Sequence, residues 1–166
     1  MFAEQGASSS SMVAAKLVDA MGRLPGYVGE NADVRNACTQ ALLKDHEGST
    51  ETWIAIEESQ WPEDWIGKHT RPVVRLFRSL YGHPLAGTYW EWFYTDVACN
   101  KCGFISIPGW ECLFYHPGKR CLLSIYVDDF KMSGKNSDVK KAWSLITSSS
   151  TAVPSQFPAQ STVPDA

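Results

Sequence analysis

Cys121-Leu122-Leu123-Ser124-Ile125-Tyr126-Val127-Asp128-Asp129-Phe130-Lys131-Met132-Ser133 is a short apolar run, an acidic pair and a returning β-prone run. Runs of this length on either side of a turn signal predict two antiparallel strands joined by a tight hairpin. Asp is depleted in strands and common in turns, which puts Asp128-Asp129 at the tip. An isolated Asp pair there is an ordinary surface turn. Two carboxylates that end an otherwise apolar strand are costly, however, unless they face water or a cation. At about 4 Å two like charges repel by roughly 4 kcal/mol at an effective dielectric of 20. A divalent ion bound by oxygen ligands reverses that sign. The tip is therefore a candidate metal site, and it needs a partner from elsewhere in the chain.

Working outward, a strand over 111–115 reaches the hairpin through His116-Pro117-Gly118-Lys119, and a helix over 138–146 follows it. Upstream, Trp90, Phe93, Tyr94 and Val97 fall on one face of a helix over 89–99, so packing accounts for Trp90 better than base stacking does. Short strands are expected at 52–56 and 73–76, a short helix at 37–43, and a loop with Gly29 and Asn31 leading to Asp33. Residues 12–24 place Val13, Leu17, Ala20, Met21 and Leu24 at three- and four-residue steps, an amphipathic helix closed by Pro25-Gly26. Helices segregated from an antiparallel sheet give an α+β class. Residues 1–10, with a serine run starting at Ser8, and residues 148–166, with Pro154, Pro158 and Pro164, bury too little to offset chain entropy. Both are expected to be disordered around one domain over 11–147.

The 166 residues carry a net charge of −3, which argues against a free-standing nucleic-acid binder. The odd set of five cysteines, without a secretory signal, points to a reducing intracellular setting, cytoplasm or nucleus. No apolar run approaches the roughly 18–20 residues of a membrane span.

Tyr126-Val127-Asp128-Asp129 at a strand tip resembles the signature of reverse transcriptases, and two further blocks extend the likeness. LYGHPLAGTYW (80–90) is similar to the LYGLKQAPRAW block of copia-type retrotransposons, and Asp33-Val34-Arg35-Asn36-Ala37 to that family's DVxxAF segment. The three blocks stand in the family's order, and the resemblance runs roughly from Val13 to Ile146. It implies a polymerase palm, an antiparallel sheet backed by helices with fingers and thumb incomplete. The implied activity is RNA-directed DNA synthesis within a polyprotein linked to DNA integration. RNA template, DNA primer and deoxynucleoside triphosphates would be the partners.

The resemblance also implies site roles. Asp33 and Asp128 would ligate two Mg²⁺ or Mn²⁺ ions with Asp129 beside them, and the Val34 carbonyl would complete one shell. Oxygen-only ligands suit such ions, which would activate the primer 3′-hydroxyl for in-line nucleotidyl transfer. Tyr81, Gly82 and Tyr126 would lie near the nascent base pair. Cys38 takes the place of the aromatic that stacks under the incoming sugar, and Pro84-Leu85 the place of a Lys-Gln pair. After Ile146 the likeness stops, where the family continues into a further palm strand and a thumb. The chain thus reads as a palm-centred fragment, and a catalytically inactive remnant is the rival.

Two other constellations carry chemistry. Cys99 and Cys102 with Cys112 and His116 could make a four-ligand zinc set and a zinc-stabilised nucleic-acid-binding module. Buried packing is the alternative for Cys112 and Cys121. Lys68, His69, Arg71, Arg75 and Arg78 form a basic cluster that could meet template phosphates or face solvent. His83 is expected in a turn or against the template.

Overall fold

Alternating burial organises the chain, which a computed structural model describes over residues 9–43 and 51–149 and, as backbone alone, at Gln160–Ser161. In chain order the elements are α1 (Met12–Gly22), β1 (Tyr27–Asp33), α2 (Ala37–Gln40), β2 (Trp53–Ala55), β3 (Val73–Arg75), α3 (Ala86–Thr95), β4 (Ile105–Ser106), β5 (Leu113–His116), β6 (Cys121–Tyr126), β7 (Asp129–Lys135), α4 (Asn136–Ser149) and β8 (Gln160–Ser161). Two 3₁₀ turns punctuate residues 58–65, and a π-helical segment, Asp96–Lys101, extends α3. The main sheet is antiparallel in the order β4-β5-β6-β7-β1-β8, while β2 and β3 form a separate ribbon. This is the α+β arrangement expected.

Period-two alternation decides what each face of the sheet meets. Leu123 and Ile125 of β6 and Phe130 and Met132 of β7 point into the larger core with Trp90, Tyr94, Val139, Ala142 and Ile146. That is the layer of α3 and α4. On the opposite face Ala14 and Val18 of α1 pack with Leu113 and Leu122, and Lys131 reaches back to Asp19 at 2.9 Å. The apolar face expected of α1 is wrong. Val13, Leu17 and Leu24 are 62%, 42% and 51% exposed, while Ala14 and Val18 are fully buried. The reason is close approach. A Cβ on Gly22 would sit 2.8 Å from the Gly29 backbone nitrogen, so the helix meets the sheet along its small residues 14, 18 and 22.

The loop expected before Asp33 is also corrected, because those residues form β1. Glycine and asparagine weaken strands, yet seven register pairs with β7, from Tyr27↔Lys135 to Asp33↔Asp129, hold this segment extended. Tertiary pairing outweighs propensity here. At the expected N-terminal disorder, the Ser10 N–H donates to Ile125 O at 3.0 Å and the Ser124 hydroxyl donates to Ser10 Oγ at 2.8 Å. Ser10 is therefore pinned to the sheet. At the other end, Ser148 and Ser149 belong to α4, and Gln160–Ser161 pair with Asn31 and Glu30 through backbone bonds that make no demand on side-chain composition. The rest of both expected disordered segments lies outside the described residues.

Four of the five cysteines are buried. Burial and the Asp138 charge push the Cys121 thiol from its ordinary 9.0 up to about 11. A raised folded-state value means the unfolded chain releases this proton first. The stability tied to the protonated thiol is complete below pH 9 and is lost as pH climbs toward 11. Two units correspond to about 2–3 kcal/mol. Urea unfolding followed from pH 8 to 11 is expected to show that loss, and Cys121→Ala is expected to flatten the profile. An unchanged slope in the variant would assign the alkaline transition to other groups.

Candidate functional site

At the tip of the β6–β7 hairpin, Tyr126 pairs with Asp129, so Val127 and Asp128 form a two-residue loop. Of these two only Val127 has positive φ, at 55°. Two-residue hairpin loops with positive φ at the first central residue normally carry glycine there. A β-branched residue in that region costs about 1–2 kcal/mol. The geometry persists because both loop carbonyls are captured. The Trp90 indole N–H donates to Val127 O at 2.6 Å, and the Val34 N–H donates to Asp128 O at 2.9 Å. Trp90 is 2% exposed and fixed by Phe93, Tyr94 and Phe130, with ring centroids 5.6, 5.6 and 6.3 Å away. Sequence reading assigned Trp90 to the core and missed its donor, since periodicity reports a face and not a hydrogen bond.

The same strand pairing brings the first block to the tip. Asp33 and Asp129 face each other across β1 and β7, and opposed residues of an antiparallel pair present their side chains on one face. Asp128, in the loop, is close enough to Cys38 and Tyr81 for its charge to act on both. Among the described residues no salt bridge engages Asp33, Asp128 or Asp129. Also among the described residues, no three Asp, Glu, His or Cys side chains converge closely enough to hold a metal ion. Register explains this, because consecutive residues leave a strand end in different directions. The oxygen-only donors at the tip fit a hard divalent cation chemically. An ion such as Mg²⁺ keeps several waters and takes substrate phosphate into its shell, so it asks for few protein ligands.

Cys38 and Tyr81 are drawn together by backbone pairing. The Leu43 N–H donates to Phe77 O, the Ser79 N–H to Ala41 O, and an isolated bridge joins Leu42 to Arg78. This pairing carries the 80–90 block to α2. Burial first, and then the Asp128 charge, raises the Cys38 thiol above its ordinary value. Tyr81 is raised by burial and then by Cys38, Asp128 and Asp33. Its ring is 58% exposed, and Cys38 is 7% exposed. Gly82 takes φ 90° beside it, with open space where a Cβ would stand. Tyr126 is exposed next to the acidic pair. Of the sequence candidates, Asp33, Val34, Cys38, Tyr81, Tyr126, Asp128 and Asp129 gather around one end of the sheet.

Several of the remaining candidates have structural partners. His83 Nδ1 accepts from the Leu85 N–H at 3.1 Å and its Nε2 meets Thr52 Oγ1 at 3.2 Å, so it fastens the turn before α3. The zinc set is not assembled among the described residues. Cys112 lies just before β5 rather than within a strand, at φ 52°, and bonds the Tyr94 hydroxyl at 3.0 Å. Cys99 meets Ser106 at 3.7 Å, and His116 meets Lys119. In the basic cluster Arg75 pairs with Glu51, and Arg78 donates to Gln40 O.

The chain has measurable relatives. Over 80 residues it is 28% identical to the Transposon Ty1-DR4 Gag-Pol polyprotein of Saccharomyces cerevisiae, a stretch covering 48% of this chain and 5% of that protein. The Transposon TyH3 Gag-Pol polyprotein of Saccharomyces cerevisiae matches equally, at 28% over 80 residues and 4% of its length. The chain thus spans about a twentieth of the curated relatives it matches. Neither a family model nor a solved structure matches it. Likeness to transposon polyproteins therefore stands. Among the described residues no helix is long and apolar enough to cross a membrane.

Proposed function

We propose that this chain is palm sequence of an RNA-directed DNA polymerase of the copia type, acting on an RNA template, a DNA primer and deoxynucleoside triphosphates. One observation carries the reading. Asp33 and Asp128-Asp129 stand about 95 positions apart in sequence, yet the β1–β7 register and the Val34–Asp128 bond bring them to one strand end. Asp33, Asp128 and Asp129 would hold a pair of Mg²⁺ or Mn²⁺ ions, with the Val34 carbonyl as a further oxygen. Such ions supply charge neutralisation at a transferring phosphoryl group.

The chain's own residues account for the rest of the reading. The Asp128 charge acts on both Cys38 and Tyr81, so a bound triphosphate would place its phosphates at the carboxylates and its sugar toward Cys38. The exposed Tyr81 ring offers an apolar face to a base beside Gly82, where the backbone is unobstructed. Val34, buried under the tip, excludes water from one side.

Tyr81 provides a test that does not depend on turnover. Its phenol is raised partly by Asp128 and Asp33, and a divalent cation that neutralises them removes that part. Ca²⁺, a hard oxygen-binding cation that stays dissolved at the alkaline pH where this phenol titrates, is expected to lower the Tyr81 titration midpoint, followed as the ultraviolet difference between the wild type and Tyr81→Phe. A midpoint that stays fixed at millimolar Ca²⁺, with a deoxynucleoside triphosphate present, would favour the inactive remnant.

A further inference from the structure

The Val127 carbonyl reaches from the hairpin loop across to α3. Its acceptor bond to the Trp90 indole N–H, at 2.6 Å, comes from a side chain that is almost completely buried and packed on three aromatic rings. The residue held by that bond is β-branched and left-handed, a conformation that L side chains adopt only when the surroundings impose it. The next residue is Asp128.

We infer that Trp90 is a positioning residue: its indole N–H holds Val127 left-handed and thereby sets where Asp128 and Asp129 project. This rests on reading the tip as a cation site. Without the bond, Val127 relaxes toward negative φ. The peptide between Val127 and Asp128 then rotates, and the Asp128 carboxylate changes its direction relative to Asp129 and Asp33. The second restraint, Val34 N–H to Asp128 O, follows the loop residue and cannot by itself fix φ of Val127. A ring in the core needs no N–H to fill space, so packing and positioning are separable by chemistry.

The test replaces Trp90 with 3-benzothienylalanine, which keeps the ring volume and substitutes sulfur for the N–H. Mn²⁺ affinity, read from the free-ion spin-resonance signal, is expected to fall about tenfold, as for loss of one well-made hydrogen bond to a strained group. The amide resonances of Asp128 and Asp129 are expected to shift, with the urea midpoint little changed. In a Val127→Gly background, where left-handed φ is native to the residue, the same replacement should cost less than about threefold. Unshifted resonances together with unchanged Mn²⁺ affinity would reduce Trp90 to core packing. Equal losses in the Val127 and Gly backgrounds would also overturn the proposal, since φ would not be the property controlled. If the wild type binds no Mn²⁺, the cation reading fails, and the Asp128 and Asp129 resonances alone decide the role of Trp90.

Discussion

Asp33→Asn and Asp128→Asn are each expected to weaken Mn²⁺ binding more than about 100-fold while moving the unfolding free energy by no more than about 0.5 kcal/mol. The first figure follows from the proposed cation site. Loss of groups that merely support a metal's ligands costs 10- to 100-fold in affinity, and a ligand among so few oxygen donors should cost at least the upper value. The second follows from exposure. Asp33 is exposed, Asp128 half-buried, and neither forms a salt bridge among the described residues. An isosteric amide therefore removes a charge and leaves the packing intact. Glu30→Gln, which alters a carboxylate on β1 away from the tip, serves as the control and is expected to bind Mn²⁺ normally. Calorimetric titration in parallel with urea unfolding checks both parts. Affinity lost equally in Glu30→Gln would mean that Mn²⁺ reads net charge and no site exists at the tip. The register adds a finer expectation. Asp129, not Asp128, lies opposite Asp33, so Asp129→Asn should also weaken binding, in contrast to a bystander role.

Which parts of this arrangement were legible in the sequence depended on where the stabilising contacts are made. β6, β7, α3 and α4 carry their own signal, because each buries large apolar residues at its own period: Leu123 and Ile125, Phe130 and Met132, Trp90 and Tyr94, Val139 and Ile146. β1 carries almost none. Its Gly29, Glu30 and Asn31 read as loop, and what makes them a strand is a partner about a hundred residues downstream. α1 misled for a related reason. Close approach to Gly29 selects Ala14, Val18 and Gly22, whereas periodicity gives weight to large side chains. At the candidate site the acidic pair and Asp33 were visible as residue types in order. The direction of each carboxylate was not, because it depends on register and on the φ of Val127. The Trp90 bond lay beyond pattern reading altogether, since the residue satisfies a core stripe whether or not its nitrogen finds a carbonyl.

Cys38→Phe is expected to raise the preference for a deoxynucleoside over a ribonucleoside triphosphate by about 10- to 100-fold. Cys38 is the second residue of α2, is 7% exposed, and has both Tyr81 and the Asp128 charge as neighbours. By the family resemblance an aromatic ring stands there and occupies the space a 2′-hydroxyl would need. A thiol is several atoms smaller, so the space stays open to either sugar. Selectivity by exclusion is a difference of affinities created by a clash with the wrong ligand, and such a clash with one hydroxyl is worth about 1–3 kcal/mol. The added ring should therefore lower ribonucleotide affinity and leave deoxynucleotide affinity nearly unchanged. Competition binding of the two triphosphates in the presence of Mn²⁺ measures the ratio directly, without requiring turnover. Overpacking is the competing effect, since a phenyl ring beside Ala37 and Ala41 has to displace neighbours at 1–3 kcal/mol. Cys38→Leu controls for that bulk, with a shorter side chain that reaches less far under the sugar. If Cys38→Phe weakens both triphosphates alike, the ring is being absorbed by the core and the gate lies elsewhere. If the ratio rises in Phe and stays near wild type in Leu, reach rather than volume excludes the hydroxyl, and the alignment of the Asp33–Cys38 segment with the sugar-contacting segment of polymerases holds at the level of a single side chain.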